Sequence, residues 1–212
     1  MFDLHVHSIF SDGELIPSEI ASRMISVGNR GFAITDHADF TNISDILSKL
    51  AKMRELVEEF EIEFLVGVEI THVPPKLIGR AVELAWKEGA EIVLVHGETI
   101  VEPVYPGTNS VAVEEEVNVL AHPGLIKESD AEKAAENGIY LEITGRKGHC
   151  LTNGHVANIS KIYGCKTIVA SDAHSPSDIF GEEMAKKIVM GSGLDWKEVL
   201  NNNLELFRKL RK

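Results

Sequence analysis

Short apolar runs rich in β-branched residues alternate with longer segments of helical period along the chain. Several runs are apolar at nearly every position, as in parallel strands covered on both faces. Strands that alternate with helices predict a parallel α/β sheet, and seven such units predict a closed or nearly closed barrel. We expect one domain over residues 1–212. The candidate strands are residues 2–7, 31–35, 64–70, 92–95, 117–121, 139–143 and 167–171.

Apolar periodicity and capping residues predict several helices between these strands. The apolar side chains at 46, 50, 53, 57 and 60 form a single stripe, which predicts one helix across them. Ser129 and Glu132 have the spacing of a capping box, and Gly138 suits the end of the helix that they would begin. Residues 98–109 contain two prolines and no clear period, so we predict a loop there.

Histidines and carboxylates follow the ends of the predicted strands. In a barrel of this kind the carboxyl ends of the strands meet at one rim, where catalytic groups lie. His5 and His7 are two residues apart, so they project to the same face of their strand. One histidine at a strand end is most often a hydrogen-bonded structural residue. The set here is larger: His5, His7, Asp36, His37, Glu69, His96, His122, Asp172 and His174.

The chemistry of these side chains predicts a metal centre. Imidazole and carboxylate together are common ligands of zinc, manganese and iron. Burying so many polar groups on one rim without a compensating ion would be costly. A carboxylate such as Glu69 can bridge two ions, as hydrolytic two-metal sites require. Arg146 and Lys147, which follow the sixth strand, are candidates to bind an anionic substrate.

Six short motifs, in this order, resemble those of the PHP (polymerase and histidinol phosphatase) family over about residues 1–190. They are Asp3-Leu4-His5-Val6-His7-Ser8 with Ser11-Asp12-Gly13, Thr35-Asp36-His37, Gly67-Val68-Glu69, Ala121-His122-Pro123-Gly124 and Ser171-Asp172-Ala173-His174. The resemblance implies a distorted (β/α)7 TIM-like barrel that holds two or three divalent metal ions.

The resemblance also implies a ligand set for each ion. One ion would be held by His5, His7, Glu69 and Asp172. A second would be held by Glu69, His96 and His122, with Glu69 bridging the two. The third would be held by Asp12, His37 and His174, where some family members have histidine in place of Asp12.

We predict a metal-dependent phosphoesterase that hydrolyses a small phosphomonoester with metal-activated water, as a histidinol phosphatase does. Its catalytic residues would be Glu69, Asp172 and His174, and its substrate contacts Arg146 and Lys147. Histidinol phosphate, nucleotides, short oligonucleotides and other small phosphomonoesters all fit this prediction. The roles of His72, His149 and His155 stay open between substrate contact and plain loop or surface positions.

Two other functions are compatible with a barrel of this type. An amidohydrolase commonly carries a bridging lysine after the fourth strand, where this chain has His96. An RNA-binding subunit resembling the ribonuclease P barrel protein would generally lack the full metal set. The formal net charge of −12 also argues against nucleic acid as a partner, except as a short substrate. No signal peptide or apolar run of membrane-spanning length is present, which predicts a cytoplasmic protein without membrane contact.

Overall fold

A nearly closed barrel of parallel strands surrounded by helices forms the fold, which confirms the predicted architecture. The computed structural model describes residues 1–211. The strands are β1 (Phe2–Asp3), β2 (Gly31–Ile34), β3 (His37–Ala38), β4 (Glu63–Ile70), β5 (Ile92–His96), β6 (Val119–Ala121), β7 (Tyr140–Thr144) and β8 (Thr167–Ala170). Strand β3 was not predicted, and the limits of the others differ from the predicted ones by a residue or two, except for β1.

The strands follow one another around the barrel in the order β1-β2-β4-β5-β6-β7-β8, and every pair is parallel. The short β3 continues the line of β2, since β2 pairs with residues 63–66 of β4 and β3 with Glu69–Ile70. The barrel therefore has seven strand positions, with all carboxyl ends on the same rim.

Strand β1 is shorter than the predicted run of residues 2–7, and the remainder closes the barrel differently. Past Asp3 the chain forms an isolated parallel bridge between Val6 and Ala173. The Asp172 amide donates to the His5 carbonyl at 2.9 Å, and the His7 amide donates to the Ala173 carbonyl at 2.9 Å. These bonds bring both ends of the sheet together beside the metal-ligand candidates.

The helices are α1 (Pro17–Ser26), α2 (Ile43–Ala51), α3 (Met53–Glu59), α4 (Pro75–Lys87), α5 (Thr108–Ala112), α6 (Glu128–Asn137), α7 (Asn153–Tyr163), α8 (Glu182–Ser192) and α9 (Trp196–Leu210). A 3-10 turn covers His149–Thr152. Apolar side chains facing the barrel, such as Ile46 and Leu50 of α2, form the main core around the strands.

Two helix predictions were wrong. The apolar stripe from 46 to 60 is divided between α2 and α3, which meet at Lys52. The stripe continues because the backbone at Lys52 stays helical, with φ −70° and ψ −14°. Ser129 lies inside α6 and bonds Asp130 rather than capping the helix, which begins after Lys127. Gly138 does end α6, at φ +69°.

The helix α9 seals the barrel at the amino ends of the strands. Its Phe207 lies 4.5 Å from Phe2, centroid to centroid, and packs among the side chains that fill the barrel interior. Within residues 1–211, none of the helices is both long and apolar enough to span a bilayer.

Candidate metal centre

His5 and His7 face the carboxylates of Asp172 and Glu69 at the rim formed by the carboxyl ends of the strands. The Nε2 atoms of His5 and His7 lie 3.0 Å apart. Asp172, just after β8, places Oδ1 3.3 Å from His7 Nε2 and 3.7 Å from His5 Nε2. All three side chains are buried. The i, i+2 spacing therefore does project both imidazoles to one face, towards the Asp172 carboxylate.

Glu69, near the end of β4, lies between two groups of imidazoles. Its Oε1 is 3.3 Å from His122 Nε2 and 3.5 Å from His5 Nε2. Its Oε2 is 2.8 Å from His37 Nδ1 and 3.7 Å from His7 Nε2. Each oxygen of one fully buried carboxylate thus faces a different pair of imidazoles, which is the arrangement that a bridging ligand requires.

A third group lies at the open side of the rim. Asp12 Oδ1 is 3.2 Å from His174 Nε2, 3.6 Å from His37 Nε2 and 3.9 Å from His7 Nδ1. Asp12 is held there by the loop that follows His7, where the buried Asp36 accepts bonds from Ser8 and Ser11 at 2.7 Å. The Asp36 carboxylate thus organises this loop.

The donor set fits divalent cations. Four buried atoms on these side chains have no hydrogen-bond partner among the described residues: His7 Nδ1, Glu69 Oε1, His122 Nδ1 and Asp172 Oδ1. Each such atom would cost about 1–3 kcal/mol of free energy if left unpaired. Within residues 1–211, several sets of side chains each place one ligand atom per residue within 4.8 Å of the others in the set. They include His7, Asp12, His37 and His174; His5, Glu69 and His122; and His5, His7 and Asp172. Mixed nitrogen and oxygen ligands suit zinc, manganese or iron.

Electrostatics in the centre favour binding of positive charge. Burial raises the pKa of Asp172 to about 7. The carboxylates of Glu142 and Glu69 raise it further, while His5 and His174 act in the opposite direction. Burial alone would lower the pKa of His5, but the carboxylates around it outweigh burial and raise it well above its usual range. Both shifts reflect negative charge crowded into a buried space, where a bound cation would stabilise the charged carboxylates.

Backbone strain accompanies two of these side chains. Asp172 has φ +51° and His122 has φ +25°, and neither residue is glycine. Side-chain crowding disfavours positive φ in other residues, and strain of this kind concentrates at functional sites. In Asp172 the turned backbone follows directly after β8 and aims the carboxylate into the ring of histidines.

A family model described as PHP domain matches residues 3–95, the part of the chain that carries His5, His7, Asp12, His37 and Glu69. The chain belongs to the PHP domain family. Its barrel is the fold of PHP metal-dependent phosphoesterases.

Relatives of this PHP domain include an uncharacterized protein of Methanocaldococcus jannaschii, 47% identical over 214 residues, which cover 100% of this chain and 98% of that protein. A chain in a cryo-EM structure of archaeal ribonuclease P with mature tRNA has a TM-score of 0.76 and 14% identity, covering 98% of this chain and 90% of its own. Histidinol phosphate phosphatase from Lactococcus lactis, in complex with zinc, L-histidinol and phosphate, has a TM-score of 0.64 and 18% identity, covering 92% and 94%. At such identities the two structures show a shared fold.

The PHP domain brings eight of the nine predicted metal ligands into the three groups described above, and the ninth, His96, lies beside them. His96 contacts His122 with ring centroids 4.4 Å apart. Its nitrogens, however, face Glu102 Oε2 at 3.0 Å and the Gly97 carbonyl at 3.1 Å. The metal-binding roles of all nine residues stay predictions.

The two predicted substrate contacts differ in position. Arg146 lines the cavity over the centre, with Nε 4.0 Å from Asp172 Oδ2 and Nη1 3.6 Å from Asp178 Oδ2. Lys147 is exposed and does not line that cavity. The structure thus favours Arg146 over Lys147 as a contact for an anion at the centre.

The sequence left open which way Glu142 faces, and the structure shows that it supports the PHP centre from within β7. Its Oε1 lies 2.9 Å from His5 Nδ1, and its Oε2 accepts the His122 amide at 2.8 Å. The signal was present, since Glu142 is an acidic residue between Leu141 and Ile143 in an apolar strand. A carboxylate buried in this way needs partners, and these partners are metal-ligand candidates.

Two further residues enter the PHP centre from loops. Glu102, in the predicted loop, faces His96 through one carboxylate oxygen and His149 Nε2 through the other, at 3.3 Å. His149 is buried, and its ring centroid lies 4.3 Å from that of His122. Of the other histidines, His155 contacts the Ile126 carbonyl away from the centre, and His72 is exposed beside His96.

Proposed function

We propose that this protein is a phosphoric ester hydrolase that cleaves a small phosphomonoester at a centre of two or three divalent ions. The observation that carries the proposal is the convergence of buried imidazoles and carboxylates, with unpaired nitrogen and oxygen atoms, from strands far apart in sequence. Zinc, manganese and iron match this donor set. Histidinol phosphate is one candidate substrate, since a protein of the same fold is a histidinol phosphate phosphatase.

Divalent ions held here would neutralise charge on the phosphoryl oxygens and make water a nucleophile near neutral pH. Glu69 would hold two neighbouring ions, because its two oxygens face different imidazole groups. Asp172 and His174 would also hold ions at this centre, where His174 Nδ1 lies 3.4 Å from Asp172 Oδ1. These three residues are the catalytic residues of the proposal.

Arg146 would bind and orient the phosphate. Its guanidinium group is planar and always charged, and it can donate two parallel hydrogen bonds to phosphoryl oxygens. Its side chain is 27% exposed, and its contacts with Asp172 at 4.0 Å and Asp178 at 3.6 Å are longer than hydrogen bonds, so its donors can turn towards a bound anion. Lys147 would contact the substrate only from the exposed rim, outside the cavity over the centre.

The charge beside the centre disfavours a long polyanionic substrate. A groove lined by Asp12, His37, Asn42, His72 and Glu102 continues outward from the centre. Its carboxylates and the net charge of −12 would repel a long polyanion, which disfavours extended nucleic acid as a substrate.

The test is metal analysis of the purified protein, followed by assays of phosphomonoesters that include histidinol phosphate and mononucleotides, with one phosphodiester for comparison. We expect metal-dependent monoester hydrolysis. For Arg146→Ala we expect KM to rise about tenfold or more, since a charge-assisted contact contributes about 1.5–3 kcal/mol. Arg23→Ala, which removes an arginine paired with Glu19 on α1, is the matched control. Full metal loading without hydrolysis of any ester would refute the proposal.

A second candidate is a non-catalytic RNA-binding subunit, because the archaeal ribonuclease P chain has the same fold. An RNA-binding surface needs clustered lysine and arginine, and binding through phosphates weakens steeply with salt. Salt-sensitive RNA binding by the metal-stripped protein, together with no ester hydrolysis, would favour this candidate. An amidohydrolase function is disfavoured by His96 at the position where that class commonly has lysine, and an amidase assay would test it.

A further inference from the structure

We propose that His149 is an additional ligand of the metal centre and that Glu102 fixes the ring nitrogen with which it binds. This inference rests on the metal centre of the proposed function. It extends the ligand set beyond the nine residues predicted from the sequence. The first observation is position. His122, His149 and Asp172 each offer a ligand atom within 4.8 Å of the other two, and all three side chains are buried.

The second observation is the pattern of partners around the imidazole of His149. Its Nε2 faces Glu102 Oε1 at 3.3 Å. A carboxylate accepts hydrogen bonds, so it favours the tautomer in which Nε2 carries the proton. Nδ1 then keeps its lone pair, and this buried atom has no hydrogen-bond partner in the part of the chain that the structure describes. A carboxylate that fixes the tautomer of a histidine in this way is the usual support for a metal-binding imidazole.

His96 offers an instructive contrast. Both of its nitrogens already face oxygen acceptors, the Gly97 carbonyl and Glu102 Oε2. A cation bound by His96 would have to displace one of these two contacts, whereas a cation bound at Nδ1 of His149 would displace none. Of the two histidines that face Glu102, His149 is therefore the one with a nitrogen ready for a cation.

The ligand that fits this position is a divalent transition-metal ion. Two imidazoles and one carboxylate form the donor set, which suits zinc or iron better than calcium or magnesium. Phosphate would suit it poorly, because the Asp172 carboxylate and a lone pair on His149 would repel an anion.

The experiment measures zinc binding to the metal-stripped full chain by equilibrium dialysis with metal analysis. For His149→Ala and His149→Gln we expect the loss of about one bound ion per chain, or at least about a tenfold increase in Kd for one ion. Glu102→Gln should weaken binding of the same ion by about tenfold or more, since carboxylates that orient a ligand histidine typically contribute about 10–100-fold. His155→Ala is the control, because His155 contacts a backbone carbonyl away from the centre.

A measurement on the unaltered protein avoids any effect of substitution on folding. Zinc titration followed by long-range 15N NMR of the imidazoles should shift the His149 Nδ1 resonance in step with ion binding. Unchanged stoichiometry and Kd in both His149 variants, or an unmoved Nδ1 resonance in the zinc-loaded protein, would overturn the proposal. Failure of the unaltered protein to bind zinc, manganese or iron would instead remove the metal centre of the proposed function.

Discussion

Glu142 shows how much of the centre depends on a single buried residue that touches no solvent. It contacts a ring nitrogen of His5 and the backbone amide of His122, and so positions two metal-ligand candidates from one carboxylate. Burial would raise the pKa of Glu142, but the nearby His5 and His122 outweigh burial and lower it. The side chain is therefore an anion that holds two ligands in place.

We expect Glu142→Gln to weaken zinc binding by about 10–100-fold, because the substitution keeps the shape but removes the charge that orients His5. Equilibrium dialysis against zinc buffers measures the change, and circular dichroism checks the fold. Glu132→Gln, on the exposed face of α6, is the matched control. An unchanged Kd would show that Glu142 serves folding alone.

Asp172 predicts how metal binding depends on pH. Its raised pKa of about 7 means that the carboxyl is protonated below that pH and charged above it. The carboxylates around His5 also raise the pKa of its imidazole, which adds to the competition between protons and cations. A cation has to displace these protons, so the apparent affinity should fall as the pH falls below about 7, by up to about tenfold per pH unit for each proton.

Calorimetric titration with zinc, in two buffers of different ionisation enthalpy, counts the protons released at each pH. We expect more proton release near pH 6 than near pH 8. Equal Kd values across this range, without proton release, would contradict the role given to Asp172.

Among the structural elements, helix α9 bridges β1 and β8, the two strands at the ends of the sheet order. Asn203 of α9 donates through Nδ2 to the carbonyls of Phe2 and Val169, at 2.9 Å and 2.8 Å. Its Oδ1 accepts the Val169 amide at 3.0 Å. One buried side chain thus satisfies backbone groups on both facing strands, which would otherwise be unpaired inside the protein.

We expect Asn203→Ala to lower the free energy of unfolding by about 3 kcal/mol or more, since each unsatisfied buried group costs about 1–3 kcal/mol. Chemical denaturation measures this loss. Asn201→Ala is the control on the same helix, because Asn201 is exposed and bonds only Glu205 on the surface. Equal losses in the two variants would show that the barrel does not depend on this bridge.

At the scale of the whole molecule, the centre connects parts of the chain from His5 to His174. Ions that bind only this folded arrangement stabilise it by mass action, by about 2.7 kcal/mol at a free concentration of 100 times Kd. For a chain of this size we expect an increase in Tm of about 5–10 °C per tightly bound ion.

Thermal denaturation of the metal-stripped protein, with and without added zinc or manganese, tests this expectation. A chelator should reverse the shift, and His7→Ala should remove most of it, because His7 lies between two of the ligand groups. A Tm that does not respond to any of these ions would contradict a centre that joins the strands.

The barrel and most of its rim follow from local patterns in the sequence. Nearly continuous apolar runs and apolar stripes of period 3.6 indicate which segments are buried, so the strands, their parallel arrangement and the position of His5, Glu69 or Asp172 at strand ends could be predicted. These features depend on neighbours along the chain, which a sequence displays directly.

Contacts between distant parts of the chain could be identified only in the folded protein. The bond of His5 to Glu142 joins residues 137 positions apart, and that of Asn203 to Phe2 joins residues 201 positions apart. Glu102 and His149 lie in loops without a period, so nothing local indicates which way their side chains point. Such contacts arise when closure of the barrel brings loops and strand ends to one rim. No local pattern along the chain indicates which distant residues will meet there.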